Sequence, residues 1–180
     1  MACIKKITAD ITFDCTNLGN VGGTGEVDEA IIINSSDIST ISEMASAGTI
    51  TMLTGQKGYI VTSVNNSVMY QDAIKVNDTT PPGEDQSVVI KMLRAPGTLT
   101  GYRELVSRLI GGNFRVAFKS KNGGYFLAGA FCGLEASDLA TDSSTGGIST
   151  VTLKTPEAST GDKLLTLTKE AYDGLKIPKV

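Results

Sequence analysis

Along much of this chain apolar and polar residues alternate with a period of two, the repeat of a strand that buries one of its faces. The alternation is cleanest at 7–15, where Ile7, Ala9, Ile11, Phe13 and Cys15 share one side and Thr8, Asp10, Thr12 and Asp14 the other. That pattern predicts an edge or half-solvated strand. "VDEAIIIN" at 27–34 instead holds the unbroken apolar run 30–33 and predicts a buried strand. At 113–138, Phe114, Val116 and Phe118 alternate with Arg115, Ala117 and Lys119, which predicts a strand with one buried side. Asn122-Gly123 then supplies the positive φ values of a tight type I′ hairpin turn, although Gly124 leaves the turn type open. The returning arm, 125–132, is apolar on both faces and so central or covered.

The remaining elements follow from the same reading. "TITML", "YIVTSV" and "VMYQDAIKV", separated by turn residues at 55–58 and 65–67, fit two successive hairpins. Pro81-Pro82-Gly83 removes two amide donors inside the polar stretch 77–86, which predicts a long loop before the strand "SVVIKML". One helix is predicted, about 98–111: Thr98 or Thr100 caps it and Tyr102, Leu105, Val106, Leu109 and Ile110 recur at helical spacing. Its outward residues are Arg103, Glu104 and Arg108, and Gly111-Gly112 end it. Residues 35–48 stand evenly between a helix capped by 35–37 and non-helical structure, because their serines and threonines weaken helix propensity. "NLGNVGGTG" at 17–25 is turn or loop, "ISTVTLKT" at 148–155 a strand, and 163–180 either another strand or a tail. The sum is a mainly β chain: a β-sandwich or barrel with one flanking helix and a long hairpin or loop.

Composition narrows the function more than the fold. One domain over 1–180 buries roughly two thirds of its unfolded surface and needs no metal or disulfide for stability. With a net charge of −3 and lysines and arginines scattered along the chain, the stripe of a nucleic-acid binder is missing. A protein that surrounds DNA without gripping it needs no such stripe. No apolar run reaches the ~18–20 residues of a membrane span, and the start lacks the apolar centre of a secretory signal, so no membrane partner is expected. Cys3, Cys15 and Cys132 form an odd set without CxxC spacing, and there is no histidine, which argues against structural zinc.

Candidate chemistry is sparse. The glycine loop at 19–25 is not followed by Gly-Lys-Ser/Thr and so lacks the context of a phosphate loop. Glu135, Asp138 and Asp142 near Ser143 and Ser144 depart from the EF-hand spacing and read as a solvated turn. Asp72, Glu84 and Asp85 are acidic, but nothing in the sequence brings two of them together as a carboxylate pair. Without histidine the usual serine triad is excluded, and no Ser-x-x-Lys marks an alternative. No catalytic residue, cofactor or metal site is expected. The aromatics fall at strand spacing among aliphatics, as core residues do.

Three segments, "ITADITFDC" at 7–15, "AIIINSSDISTISEMASAGTITMLTGQKGYIVTSV" at 30–64 and "GNFRVAFKSKNGGYFLAGAFCGLEASDLATDSSTGGISTVTLKTPE" at 112–157, together resemble the tail tube proteins of tailed bacteriophages in order and texture. The resemblance covers most of the chain and lies in patterns of strand and turn. It implies a virion structural protein, made in the host cytoplasm and located in the tail. Its partners would be copies of itself in stacked hexameric rings and other tail proteins, with DNA passing through the channel. The helix at 98–111 would flank the sandwich and the hairpin region 49–76 would complete a neighbour's sheet, with Gly58, Tyr59, Ile60, Val61 and Tyr70 at the oligomer interface. The family brings no catalytic residues. A wall that lets DNA slide should be neutral or acidic, and Asp72, Asp78, Glu84, Asp85, Asp138 and Asp142, read as turn and loop residues, are the carboxylates available for it; Lys57 departs from that pattern. Alternatives in the same class are a head-to-tail connector, tail terminator or other minor tail protein. Outside it stands an adhesive or carbohydrate-binding β-sandwich, for which 6% aromatic residues and no tryptophan are a poor endowment.

Overall fold

A computed structural model describes residues 6–8, 10, 28–43, 47–63, 68–77, 80–93, 107–120, 123–142, 148–157 and 162–179. The strands are β1 (Asp28–Asn34), β2 (Ile38–Glu43), β3 (Gly48–Met52), β4 (Tyr59–Ser63), β5 (Met69–Asn77) and β6 (Thr80–Leu93). They continue as β7 (Phe114–Lys119), β8 (Tyr125–Ala128), β9 (Glu135–Asp142), β10 (Ile148–Lys154) and β11 (Leu165–Leu167). A five-stranded sheet has the order β11-β8-β7-β1-β4, a four-stranded sheet the order β5-β6-β10-β9, and β2 and β3 form a separate ribbon. All pairings are antiparallel. Both larger sheets are open, so the architecture is a β-sandwich and not a closed barrel.

The apolar run of β1 explains the layering. Ala30 and Ile32 point one way and pack with Val88, Ile90, Val151 and Leu153 of the four-stranded sheet. Ile31 and Ile33 point the other way, against Met52 of the ribbon and Leu165, Tyr172 and Leu175 of the C-terminal segment. The five-stranded sheet is therefore the middle of three layers, and each fully buried isoleucine contributes about 1.5–3 kcal/mol of apolar transfer. The same layering corrects the reading of β7: Arg115 is half-buried and Ala117 fully buried, because the face expected to be polar lies under the third layer.

Several expectations hold and several do not. Strands at 27–34, 114–119 and 148–155 are present as β1, β7 and β10, and in β8 Leu127 and Ala128 are buried while Tyr125 and Phe126 are partly so. Its arm ends at Ala128, earlier than expected, and the preceding turn closes with Ser120 N–H donating to Gly124 C=O and Gly123 N–H donating to Ser120 C=O. Gly123 sits at φ 84°, while Lys121 and Asn122, on which the turn type depends, lie outside the described residues. Residues 35–43 are one 3-10 turn, Ser35–Asp37, followed by β2.

The two successive hairpins expected over 49–76 are replaced by three strands in three sheets: β3 pairs with β2, β4 with β1 and β5 with β6. The long hairpin of the fold is β5–β6, and the loop expected at 77–86 is mostly the start of β6. Pro81 and Pro82 fit because the register shifts there: Lys75 faces Gly83 and Asn77 faces Thr80, so the two prolines lie opposite the single residue Val76. A bulge is where missing amide donors cost least. Of the helix expected at 98–111, Ser107–Leu109 is helical and Leu109 is buried in the core, but Ile110 is half exposed; 98–106 lie outside the described residues. The strand expected at 7–15 is described only at Ile7, Thr8 and Asp10, none of them in a strand. Glu135–Asp142 is strand β9, and not a turn, while 163–180 add both β11 and an unforeseen helix, α1 (Lys169–Gly174). The Thr168 hydroxyl accepts from Ala171 N–H and caps α1.

Candidate functional site: an outer edge, a solvated sheet face and a pinned loop

β4 is the last strand of its sheet, so among the described residues one side of it has no strand partner. In an antiparallel pair alternate residues turn their N–H groups towards the neighbour. Gly58 and Ile60 turn theirs away from β1, and both meet acceptors that are not strands. Gly58 N–H donates to the Leu175 carbonyl at 2.7 Å, just beyond α1. Ile60 N–H donates to Asp10 Oδ1 at 3.1 Å, and Lys57 Nζ lies 2.8 Å from Asp10 Oδ2. Gly58 must be glycine here, since a Cβ would come 2.3 Å from Ile31 Cγ2.

The five residues expected at an interface separate on this geometry. Gly58 and Val61 are buried, Val61 in the core, while Tyr59 and Ile60 keep part of their surface. Lys57 Nζ sits 5.8 Å from the centre of the Tyr59 ring. Tyr70, on β5, turns inward and stacks on Phe118 at 5.3 Å between centroids. Burial, with the Asp72 carboxylate beside it, pushes its phenol well above the ordinary range. Gly58–Val61 thus belong to one edge, and Tyr70 to the edge strand of the other sheet.

The outer face of the four-stranded sheet is wide and solvated. Met69, Gln71 and Ala73 on β5 and Asp138 and Ala140 on β9 are exposed, and between them Ser87, Val89, Thr150 and Thr152 are half-buried. This face carries charges of both signs, Lys91 and Lys154 against Asp85, Glu135 and Asp138, with Lys154 Nζ 3.2 Å from Asp85 Oδ2. Among the described side chains of this face the carboxylates outnumber the lysines by three to two. Asp72, Glu84, Asp85 and Asp138 were expected in turns and loops, and all four stand in strands. Asp78 lies outside the described residues, as does the side chain of Asp142.

A third feature left no trace in the sequence pattern. Residues 129–133 form a loop between β8 and β9 whose backbone is gripped from distant parts of the chain. Gln86 Oε1 accepts from Gly129 N–H at 2.9 Å. The buried Asp162 carboxylate accepts from Phe131, Cys132 and Lys163 N–H. Arg115 donates to the Ala130 and Phe131 carbonyls, and Asn113 Nδ2 to the Cys132 carbonyl. Burial lowers the Arg115 pKa from its ordinary value, and the Asp162 carboxylate works against that shift. The loop carries Phe131, half exposed, on this rigid base.

Among the described residues no three metal-ligating side chains come together, and no helix is long and apolar enough to cross a membrane. Comparison with protein-family models, with curated proteins and with solved structures finds no match to this chain.

Proposed function

We propose that this chain is the subunit of a phage tail tube, a virion structural protein that self-assembles into stacked, hexameric rings around a channel for DNA. The reading starts from the sequence resemblance, and the β5–β6 hairpin is the observation that carries it furthest. β6 has 14 residues, of which β10 pairs only with Ser87 to Leu93. Thr155 and Asp162 N–H groups extend that contact to the carbonyls of Gln86 and Glu84. Beyond Glu84, among the described residues, β6 pairs only with β5, so the end of the hairpin overhangs its sheet by roughly 13 Å. A two-stranded arm with open edges is marginal alone and is stabilised by docking on another surface. A subunit stacked above or below supplies that surface.

Two further features support the reading. Among the described residues both larger sheets end in strands without a strand partner, the condition for edge-to-edge joining of copies into a ring. The solvated outer face of the four-stranded sheet carries lysines outnumbered by carboxylates among its described side chains, a wall that would hold phosphates weakly. The proposed role involves no catalytic step and no cofactor; other tail proteins would be its only partners besides its own copies and the passing DNA.

Electron microscopy of the purified protein over a range of concentrations, together with its mass in solution, tests the proposal. Rings or tubes with a central channel are expected. A protein that stays monomeric at the highest concentrations, with neither rings nor tubes, overturns it.

A further inference from the structure

Among the described residues, the side chain that closes the outer edge of β4 at Ile60 is Asp10. Asp10 places one carboxylate oxygen on the Ile60 N–H and the other on Lys57, in the position that the carbonyl of an added strand would occupy. The side chains of Asp10 and Lys57 keep 33% and 29% of their exposure, so the pair is only partly shielded from water. Such pairs are weak, and a strand edge held by one of them is easily uncovered. The contact next to it, Gly58 N–H on the Leu175 carbonyl, belongs to a buried glycine and stays closed.

We infer that the β4 edge is a docking edge for a strand of a second copy of this chain, and that Asp10 is the guard that keeps it shut in the single subunit. The inference rests on the tube reading and adds to it the edge used and the means of its control. The occupant is β5 of the second copy. β5 is itself an edge strand, and its Asp72 is exposed. When Asp10 leaves, Lys57 loses its carboxylate and Ile60 its acceptor. An incoming β5 offers both replacements, a backbone carbonyl for Ile60 and Asp72 for Lys57. Joining β4 of one copy to β5 of the next is a head-to-tail contact, which generates rings when the rotation closes.

The experiment compares the wild-type protein with Asp10→Ala, Asp10→Asn, Asp10→Ala/Ile60→Pro and Asp10→Ala/Asp72→Asn by sedimentation across concentration, with circular dichroism to verify folding. Asp10→Ala should associate at a concentration lower by roughly five-fold, the equilibrium worth of an exposed ion pair. Asp10→Asn, which keeps an oxygen for Ile60 but no charge for Lys57, should shift less, and it serves in place of the alanine variant if that one does not fold. Adding Ile60→Pro should cancel the gain, and adding Asp72→Asn should reduce it. Association unchanged in both Asp10 variants, or a gain that survives Ile60→Pro, overturns the guard; a gain indifferent to Asp72→Asn overturns β5 as the occupant. These outcomes are read from the concentration of association and are separate from the tube reading, which fails if micrographs of wild type and variants alike lack rings and tubes.

Discussion

The Asn34 side chain serves Ile7 as a strand would: Asn34 Oδ1 accepts from Ile7 N–H at 2.9 Å and Asn34 Nδ2 donates to the Ile7 carbonyl at 3.0 Å. Both residues are 2% exposed. The same Nδ2 also donates to Asp37 Oδ2, and Asp37 in turn receives Lys6 Nζ at 2.7 Å. One carboxamide therefore fixes where the N-terminal segment enters the core, three residues before Lys57 and Ile60 receive Asp10 from that same segment at the neighbouring strand's edge.

Asn34→Ala should accordingly be one of the costliest single substitutions in the chain. It leaves the Ile7 N–H and carbonyl buried without partners, and each such group costs about 1–3 kcal/mol. A loss of about 2–4 kcal/mol is expected in urea unfolding. Combined with Ile7→Ala the loss should fall short of the sum of the single effects, because both substitutions undo the same seating. Strict additivity would show that the two residues act independently.

The Asp37 carboxyl gives the same region a pH dependence. Burial opposes its ionisation, but hydrogen bonds from Lys6, Asn34 and Ser36 and the Lys6 charge hold its pKa below the ordinary value of 3.8. A folded-state pKa below the unfolded one adds stability that is present above the unfolded value and is lost as pH falls through the folded one. The stability difference between wild type and Asp37→Asn should therefore be constant near neutrality and shrink below about pH 4. Unfolding curves from pH 7 to pH 2 measure it; a difference that grew on acidification would give the shift the opposite sign.

The loop at 129–133 should respond sharply to its buried carboxylate. Asp162→Ala removes the acceptor of three N–H groups and the negative charge beside Arg115. Hydrogen exchange at Phe131 and Cys132 should accelerate and global stability fall by about 2–4 kcal/mol. Gly133→Ala should disturb the same loop by another route. Gly133 has φ 75°, and an added Cβ would lie 2.0 Å from Asn113 Oδ1, displacing the side chain that holds Cys132. Exchange that is unchanged in both variants would mean that the loop keeps its shape without them.

How legible these features were depended on the range of the interaction. β1 could be read from four consecutive apolar residues because a strand in the middle layer buries both faces, and burial writes itself into every position. The position of β6 could not, because Pro81-Pro82 argues locally against a strand and only the pairing register reveals the bulge that accommodates them. α1 had a readable signal in Thr168 followed by Lys169-Glu170-Ala171, a capping residue before good helix formers, outweighed by the strand-like residues before it. Asp162 lies thirty residues from the loop that it holds, and Asn34 twenty-seven from Ile7. Polar contacts of that kind have no period. Of the expected edge residues 58–61, Tyr59, Ile60 and Val61 lie in β4 and Gly58 just before it, but their individual exposure depended on β1, Asp10 and Leu175, which only the tertiary structure brings together.

That geometry separates two proline substitutions that look equivalent in sequence. Ile60 N–H points away from β1 towards Asp10, whereas Val61, paired with Ala30, turns its N–H towards β1 and buries its side chain completely. Ile60→Pro deletes a donor only on the outer edge, where prolines are tolerated. It should leave a folded monomer, with a loss of about 1 kcal/mol for the contact to Asp10. Val61→Pro deletes a bond of the ladder itself and replaces a core side chain, and should unfold the protein or cost about 3 kcal/mol or more. If the outer edge of β4 joins copies, Ile60→Pro should abolish rings and tubes while its circular dichroism matches the wild type, a combination that a mere loss of stability does not produce. Normal tubes from a folded Ile60→Pro variant would remove β4 from the assembly interface and leave the β5–β6 arm as the element that joins one copy to another.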